Sequence, residues 1–259
     1  MTRINVKLKG APDYDDPDFW DTRFATNSDV GEWLNSGEAL LDAVLSDLKS
    51  RSLAQIEAAR TPHVLHLGPG VSKLGNKLRD QFIERQWQSN GIVNADFSTE
   101  AVRRGQEMES KRGPAHAMPW LRVDLRSWSD VSTLSEFAPF DVILDKSTSD
   151  ALATSEDHQL SRQNDFLTSC PAVQKILLKN PTITLRPVEL LALQLIPLTQ
   201  KGSTWIALSY STMRFDGLHH LSDHWTLQAR IPLKAPAGPV TPSTYAPEIF
   251  HWMYILQRR

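Results

Sequence analysis

Cysteine is nearly absent from this sequence of 259 residues, which contains only Cys170. A single cysteine excludes an intrachain disulfide and argues against a cysteine-based zinc site, a pattern typical of proteins in reducing compartments. The sequence also lacks any run that approaches the ~18 uninterrupted apolar residues of a membrane span, and residues 1–10 lack the apolar centre of a secretory signal. We therefore expect a cytoplasmic protein, with the nucleus as the alternative, and no membrane partner.

An excess of charge of either sign is also missing. The 28 basic and 30 acidic residues give a formal net charge of −2. This balance disfavours a protein that holds nucleic acid by neutralising phosphates over its whole surface, so we expect no nucleic-acid partner. Hydrophobic residues make up 41% and charged residues 22% of the chain, which is typical of a packed globular domain.

Short apolar runs alternate with helical patterns through most of the chain. Strands are predicted at residues 63–67, 91–95, 120–124, 140–145 and 204–210. Helices are predicted at residues 37–59, 74–87, 99–112 and 188–198. This alternation predicts an α/β fold with a Rossmann-like, doubly wound, seven-stranded sheet that is mostly parallel and covered on both faces.

The last part of the chain departs from this alternation. Residues 225–231 and 249–257 predict two strands that are joined by a proline- and glycine-rich stretch without a helix. Strands without a crossover helix pair antiparallel or lie apart, so the sheet is expected to end in a C-terminal antiparallel hairpin. The polar residues 155–187 predict an insertion with a helix around residues 174–178, which covers the carboxyl edge of the sheet as a lid.

A glycine-rich turn, LGPGVSKLG at residues 67–75, follows the first predicted strand. Gly68 and Gly70 let the backbone approach a ligand closely. The turn alone is a weak signal, because glycines also serve packing where a strand leads into a helix. The P-loop pattern is absent, and Lys73 stands where a dinucleotide-binding fingerprint expects its third glycine.

Aspartates end three of the predicted strands. Asp96 lies 21 residues beyond Gly75, where a carboxylate can accept hydrogen bonds from the ribose hydroxyls of an adenine nucleotide. Asp124 ends the third strand, where it can meet the adenine amino group, and Asp145 ends the fourth. Doubly wound sheets bind ligands at this carboxyl edge, so the three aspartates predict one nucleotide-type site.

Several motifs resemble those of one enzyme family. These motifs are FWDTRF at residues 19–24 with Glu32 and Trp33, HLGPGVS at 66–72, NADFS at 94–98, VDL at 123–125 and, most specifically, FDVILDKSTSDAL at 140–152. They are similar to class I (seven-strand) S-adenosylmethionine (SAM)-dependent methyltransferases of the methyltransferase-like family, related to the elongation factor 1-alpha lysine methyltransferases. Ser147 and Ser149 depart from the family's glycine and leucine. The resemblance covers nearly the whole chain apart from residues 155–187 and 232–247.

The resemblance implies SAM as cofactor and S-adenosylhomocysteine (SAH) as product. It places the glycine turn at the methionine part, where Arg23 would pair with the carboxylate, and it places Asp96 on the ribose. The cofactor-binding residues that it implies are Trp20, Arg23, Trp33, Gly68, Gly70, Asp96, Phe97, Ser98, Asp124, Leu125 and Asp145. We expect one globular domain, in which residues 1–60 form an N-terminal cap and first helix and residues 61–259 form the SAM-binding methyltransferase domain.

Three residues are candidates for catalysis. The resemblance places Asp145 and Lys146 near the sulfonium. His220 lies on a predicted loop over the acceptor site, where a histidine can accept a proton. Two further histidines, His219 and His224, lie close by, but the cluster lacks cysteine and a shared helix register, so we expect no metal.

The leading hypothesis is methyl transfer by in-line displacement to a lysine amine of a protein substrate. The alternatives are a methyltransferase acting on an N, O or S atom of a small molecule, and a non-catalytic SAM-binding scaffold. A flat acidic groove favours the lysine, with Asp145 and Asp150 as rim residues, because a lysine amine must arrive deprotonated. A deep aromatic pocket beneath residues 155–187 favours the small molecule.

Overall fold

Helices and strands alternate along the chain in the computed structural model, which describes residues 12–26, 32–54, 61–236 and 248–259. Along these residues the helices are α1 (Pro17–Thr26), α2 (Glu38–Ala54), α3 (Leu74–Glu84), α4 (Thr99–Glu109), α5 (Trp128–Val131), α6 (Thr148–Leu152), α7 (Arg162–Asp165), α8 (Pro171–Lys179) and α9 (Pro187–Gln194). The strands are β1 (Val64–Leu67), β2 (Ile92–Asp96), β3 (Trp120–Arg122), β4 (Phe140–Lys146), β5 (His158–Ser161), β6 (Thr182–Leu185), β7 (Thr199–Ser209), β8 (Trp225–Lys234) and β9 (Phe250–Arg258).

Seven of these strands form one sheet in the order β3-β2-β1-β4-β7-β9-β8. Strands β3, β2, β1, β4 and β7 run parallel, whereas β9 lies between β7 and β8 and runs antiparallel to both. The predicted seven-stranded, mostly parallel sheet with a C-terminal antiparallel pair is therefore confirmed. The parallel strands all end at one edge of the sheet, and the residues that follow them are gathered there.

Apolar side chains cover both faces of the sheet. In β4, Ile143 packs on the face that α9 covers. Val142 and Leu144 pack on the opposite face, with residues of α2 and α3. This alternation is what a strand buried on both sides requires, because successive side chains point to opposite faces.

Residues 155–187 form a small structure of their own between α6 and α9. The antiparallel pair β5 and β6 and the helices α7 and α8 lie in this segment. The helix predicted around residues 174–178 is present as α8. The segment packs against α9, where Val173 and Leu177 meet Leu190 and Leu193 in a separate apolar cluster.

The helix predicted at residues 37–59 is described only in part. α2 begins at Glu38 and is described as far as Ala54, so the remainder of the predicted helix lies outside the described residues. Within the part of the chain that the structure describes, no helix has the length and apolarity that crossing a membrane requires.

Candidate functional site

A cavity of about 340 Å³ lies at the carboxyl edge of the parallel strands. Its walls come from residues that follow these strands and from residues 12–26 and 32–37, which we call the N-terminal cover. The lining residues include Tyr14, Trp20, Phe24, Trp33, Gly68, Gly70, Asp96, Phe97, Asp124, Leu125, Lys146, Thr148, Asp150 and Tyr210. Most of the residues predicted to bind the cofactor are thus brought together around one space.

The glycine turn after β1 adopts a backbone that requires glycine. Gly68 and Gly70 have φ angles of 52° and 53°, a left-handed conformation that other residues rarely adopt. A Cβ atom on Gly68 would lie 2.4 Å from Oγ1 of Thr148, and one on Gly70 would lie 3.0 Å from Cζ of Phe24. The turn is therefore packed between the start of α6 and the N-terminal cover.

Asp96, the last residue of β2, holds this turn. Its carboxylate accepts a hydrogen bond from the backbone N–H of Gly70 at 2.8 Å and from that of Ser98 at 2.9 Å. Burial raises the pKa of Asp96 to about 6, although these two hydrogen bonds oppose the shift. Asp96 is a buried carboxylate that still reaches the cavity, and each oxygen keeps acceptor capacity for a further partner.

Asp124 also lines the cavity, but its carboxylate already has a partner. Arg126 donates to both oxygens, with Nε 2.9 Å from Oδ1 and Nη2 2.8 Å from Oδ2. Burial would raise the pKa of Asp124, but the hydrogen bonds from Arg126 outweigh it and lower the pKa. Arg126 also donates to the backbone carbonyl of Asp15 at 2.9 Å, which ties the N-terminal cover to this side of the cavity.

Asp21 and Glu32 fasten the N-terminal cover to two further strand ends. Asp21 accepts from Oγ of Ser98 at 2.5 Å and from the backbone N–H of Glu100 at 3.0 Å, at the start of α4. Glu32 accepts from Oγ of Ser72 at 2.7 Å and from the backbone N–H of Lys73 at 2.8 Å, in the glycine turn. The cover is thereby fixed across the mouth of the cavity.

Lys146, at the end of β4, completes this set of contacts. Its ammonium group donates to the carboxylate of Glu32 and, at 3.2 Å, to the backbone carbonyl of Asn35. Burial would raise the pKa of Glu32, but the hydrogen bonds from Lys146, Ser72 and Lys73 lower it. The buried Lys146 is thus paired with a carboxylate and not held as an isolated charge.

Asp145 lies beneath the cavity instead of in its wall, which corrects the prediction for this residue. Its carboxylate accepts from the backbone N–H groups of Thr148 at 2.8 Å and Ser149 at 3.2 Å, and from Nε1 of Trp205 at 3.2 Å. Burial raises the pKa of Asp145 to about 6. The residue is fully buried and secures the turn from β4 into α6.

Ser147 begins that turn with a φ of 69°, a left-handed value that glycine adopts more easily. This position is where the resembling family has glycine, so the departure seen in the sequence falls on a strained backbone. Oγ of Ser147 donates to Asp150 at 2.7 Å, which offsets part of the strain.

Three other predicted residues lie outside the cavity wall. Ser98 is the N-cap of α4, where its Oγ accepts from the backbone N–H of Ala101 at 3.1 Å. Arg23 is half-buried beside the lining rings of α1, and its Nε has no hydrogen-bond partner among the described residues. His220 does not line the cavity, and its backbone N–H donates to Glu189 beside α9.

The described cavity-lining residues come from the N-terminal cover and the strand ends, and residues 155–187 contribute none of them. The insertion packs on α9, and His158 in its strand β5 interacts electrostatically with Asp124 and Arg126 beside the cavity. The expectation that this segment forms a lid stays a prediction. Among the described residues, no group of histidine, cysteine, aspartate or glutamate side chains is arranged to hold a metal.

Sequence reasoning missed several residues of the site, among them Tyr14, Tyr210 and Arg126. Tyr14 and Tyr210 line the cavity from the N-terminal cover and from the segment after β7. Arg126 pairs with Asp124 two residues earlier, and this short spacing of opposite charges was the one available signal. Tyr14 and Tyr210 carry no comparable pattern, because their place depends on how distant segments fold together.

Comparisons with known proteins support the fold. No family model and no curated protein matches the chain. A SAM-dependent methyltransferase from Anabaena variabilis is 12% identical, with 100% of each chain covered and a TM-score of 0.52. The N-methyltransferase NodS from Bradyrhizobium japonicum in complex with SAH is 11% identical, with 92% of this chain and 96% of that chain covered and a TM-score of 0.49. Magnesium protoporphyrin IX methyltransferase from Synechocystis with bound SAM is 10% identical, with 98% and 100% covered and a TM-score of 0.48.

At these identities the likeness to the Anabaena structure establishes the fold alone. That fold is the Rossmann-like one of a SAM-dependent methyltransferase, in agreement with the strand order of this sheet. The narrower resemblance to the elongation factor 1-alpha lysine methyltransferases stays a prediction.

Proposed function

We propose that this protein is a SAM-dependent methyltransferase and that the cavity at the carboxyl edge of the sheet is its SAM site. The observation that carries the proposal is the contact between Gly70 and Asp96. A glycine turn with left-handed φ and a buried carboxylate meet at 2.8 Å in the wall of one cavity. Such a turn admits a ligand close to the backbone, and such a carboxylate suits ribose hydroxyls.

The residues around the cavity fit SAM in size and chemistry. Its volume of about 340 Å³ lies at the lower end of the ~300–1,000 Å³ typical of ligand pockets. The rings of Tyr14, Trp20 and Trp33 line it, and aromatic faces attract cations such as a sulfonium or an ammonium. Arg23 lies on the same helix as Trp20, and its Nε has no hydrogen-bond partner among the described residues, which supports a role for its guanidinium group toward the SAM carboxylate.

The residues of this chain would act mainly by positioning. When bound, SAM supplies a methyl group on a sulfonium, which a nucleophile attacks in line. Asp96 would hold the ribose hydroxyls, and the N-terminal cover would exclude water from the cavity. Because Glu32 neutralises Lys146, that ammonium adds no unpaired positive charge to the site.

A lysine amine of a protein remains our leading acceptor. It is supported by the resemblance of residues 140–152 and by the size of the cavity, which leaves little room for a second molecule beside SAM. The described residues do not form the expected free acidic rim, since Asp145 is buried and Asp150 is hydrogen-bonded. The aromatic wall favours the second candidate, a small molecule that offers an N, O or S atom.

Incubation with tritiated SAM and a cell extract tests both the activity and the acceptor. We expect label in the acid-precipitated protein fraction, and methyl-lysine after hydrolysis of that fraction. The Asp96→Ala variant is the control for label that does not depend on the SAM site. Label confined to the small-molecule fraction would overturn the lysine acceptor. Intact SAM binding with no label in either fraction would overturn the transferase and favour the scaffold.

The affinity for SAM should depend on pH through Asp96. The carboxylate accepts hydrogen bonds from ribose hydroxyls more strongly when ionised, and its pKa before binding is about 6. Binding therefore favours the deprotonated form, so we expect affinity to rise with pH up to about 7 and then level off. Below about pH 6, affinity should fall by up to about tenfold per pH unit, which calorimetry between about pH 5 and 8 would measure.

The control for this pH dependence is Asp96→Asn, which removes the titrating group and keeps the side chain's shape. We expect the variant to bind weakly and with little change in affinity across this range. Because burial also raises the pKa of Asp145 to about 6, an unchanged pH profile in the variant would assign the titration to another group and contradict the role given to Asp96.

A further inference from the structure

The cavity crosses the strand ends in the order of the sheet. Asp124 follows β3, Asp96 ends β2, the glycine turn follows β1, Lys146 ends β4 and Tyr210 follows β7. If Asp96 holds the ribose and the glycine turn holds the methionine part, as the resemblance implies, SAM runs from β2 to β1 and its transferable methyl points onward toward β4 and β7. The acceptor then enters at the end of the cavity that Tyr210 lines.

Tyr210 stands at the mouth of this end. Tyr210 lines the cavity and is 55% exposed, so it lies where the cavity meets solvent. The guanidinium carbon of Arg214 lies 5.5 Å from the ring centre. This distance is within the range of a cation–π contact, which restrains the ring.

Asp150 fixes the backbone on which this ring is mounted. Its carboxylate accepts from Oγ of Ser147 at 2.7 Å, Oγ of Ser209 at 2.5 Å, the backbone N–H of Tyr210 at 3.1 Å and Nε of Arg214 at 2.7 Å. Four donors match the hydrogen-bond capacity of one carboxylate. Asp150 is therefore fully engaged and poorly suited to take a proton from an acceptor.

A second support holds the same segment from the opposite side. The hydroxyl of Tyr254 on β9 donates to the backbone carbonyl of Ser211 at 2.6 Å and accepts from the backbone N–H of Arg214 at 3.4 Å. Phe215 then packs against the rings of Trp205 and Tyr254, with ring centres 4.9 Å and 5.0 Å apart. Residues 209–215 are thus a fixed wall and not a free loop.

We propose that Tyr210 is a specificity-determining residue that contacts the methyl acceptor, and that Asp150 is a positioning residue that holds it through its backbone and Arg214. This inference rests on the proposed function, because it takes its direction from the ribose at Asp96. It replaces the earlier expectation that Asp150 forms an acidic rim for an incoming lysine.

Kinetics of Tyr210→Ala and Tyr210→Phe with tritiated SAM and cell extract test the first part. Loss of the ring in Tyr210→Ala should raise the extract concentration needed for half-maximal label by about tenfold. The KM for SAM should stay within about twofold, because the cofactor residues are untouched. Tyr210→Phe keeps the ring and its contact with Arg214, so it should restore most of the wild-type value.

Met213→Ala is the matched control, since Met213 belongs to the same segment, is 66% exposed and does not line the cavity. Wild-type kinetics in Tyr210→Ala would overturn the inference and leave the proposed function standing. If the wild-type protein binds SAM and labels nothing, both the proposed transferase activity and this inference are overturned. If it binds no SAM, the assignment of the cavity as the SAM site is wrong.

Asp150→Asn separates positioning from proton transfer. A positioning role predicts a rise in the half-saturating extract concentration and faster hydrogen–deuterium exchange in residues 209–214, with kcat changed by less than about tenfold. Loss of a general base would lower kcat by about 100-fold or more, and that result would overturn the assignment. If Asp150→Asn does not fold, Arg214→Gln removes one donor of the same unit and should shift the same two measurements in the same direction.

Discussion

Replacement of Asp96 by alanine is expected to abolish measurable SAM binding while the protein stays folded. Hydrogen bonds to a charged group contribute about 1.5–3 kcal/mol each, so the loss of two ribose contacts predicts a fall in affinity of about 100-fold or more. The glycine turn also loses the acceptor of the Gly70 N–H, which disturbs the turn itself. Isothermal titration calorimetry with SAM and with SAH would measure the change.

The stability of this variant should change much less than its affinity. Burial raises the pKa of Asp96. Above that pKa the carboxyl is ionised, and its negative charge costs the folded state more free energy than it costs the unfolded chain. Removing the carboxylate relieves this cost and offsets part of the two lost backbone hydrogen bonds. Asp42→Ala, at an exposed position of α2, is the matched control in calorimetry and thermal unfolding. Wild-type affinity in Asp96→Ala would sink the assignment of the site.

Gly70→Val should also remove SAM binding, for a steric reason. The new side chain would sit at a φ of 53°, with its Cβ atom 3.0 Å from Cζ of Phe24, in the wall of the cavity. The left-handed backbone alone costs about 1–2 kcal/mol for a residue with a Cβ, and the methyl groups then occupy ligand space. We expect no binding that calorimetry can detect, and a lower melting temperature.

The Gly202→Val variant distinguishes the effect of backbone strain from that of a side chain that obstructs the cavity. Gly202 has a φ of 88°, and a Cβ atom there would meet nothing within 4 Å, so the substitution carries the backbone strain without filling the cavity. It should lower stability to a similar degree and leave the affinity for SAM unchanged. Equal loss of binding in both variants would show that destabilisation, not occupation of the site, explains the effect.

The sheet could be predicted from the sequence because each buried strand is a short apolar run. β1, β2 and β4 are buried along their whole length, and they were found within a residue or two of their ends. β5 and β6 were missed, because they lie partly exposed at the surface and carry mostly polar residues. α1 was missed for a related reason, since its buried side is made of a few aromatic rings and not of a regular apolar stripe.

That Gly70 and Asp96 lie together could be predicted because both are close to strand ends, where position along the chain determines position in space. The pair of Glu32 and Lys146 could not be predicted, because 114 residues separate them and no pattern links the two. His220 shows the converse error: a conspicuous cluster of histidines in the sequence lies outside the cavity once the segment after β7 packs against α9.

The N-terminal cover has a practical consequence for handling the protein. Its contacts reach the ends of β3, β2, β1 and β4. Because Tyr14 itself lines the cavity, an affinity tag fused just ahead of Tyr14 would lie at the mouth of the cavity. β9 runs antiparallel to β7, and it therefore ends at the opposite edge of the sheet. A tag or a surface-immobilisation handle after Arg259 leaves the cavity free, and ligand-binding measurements are best made on protein attached at that end.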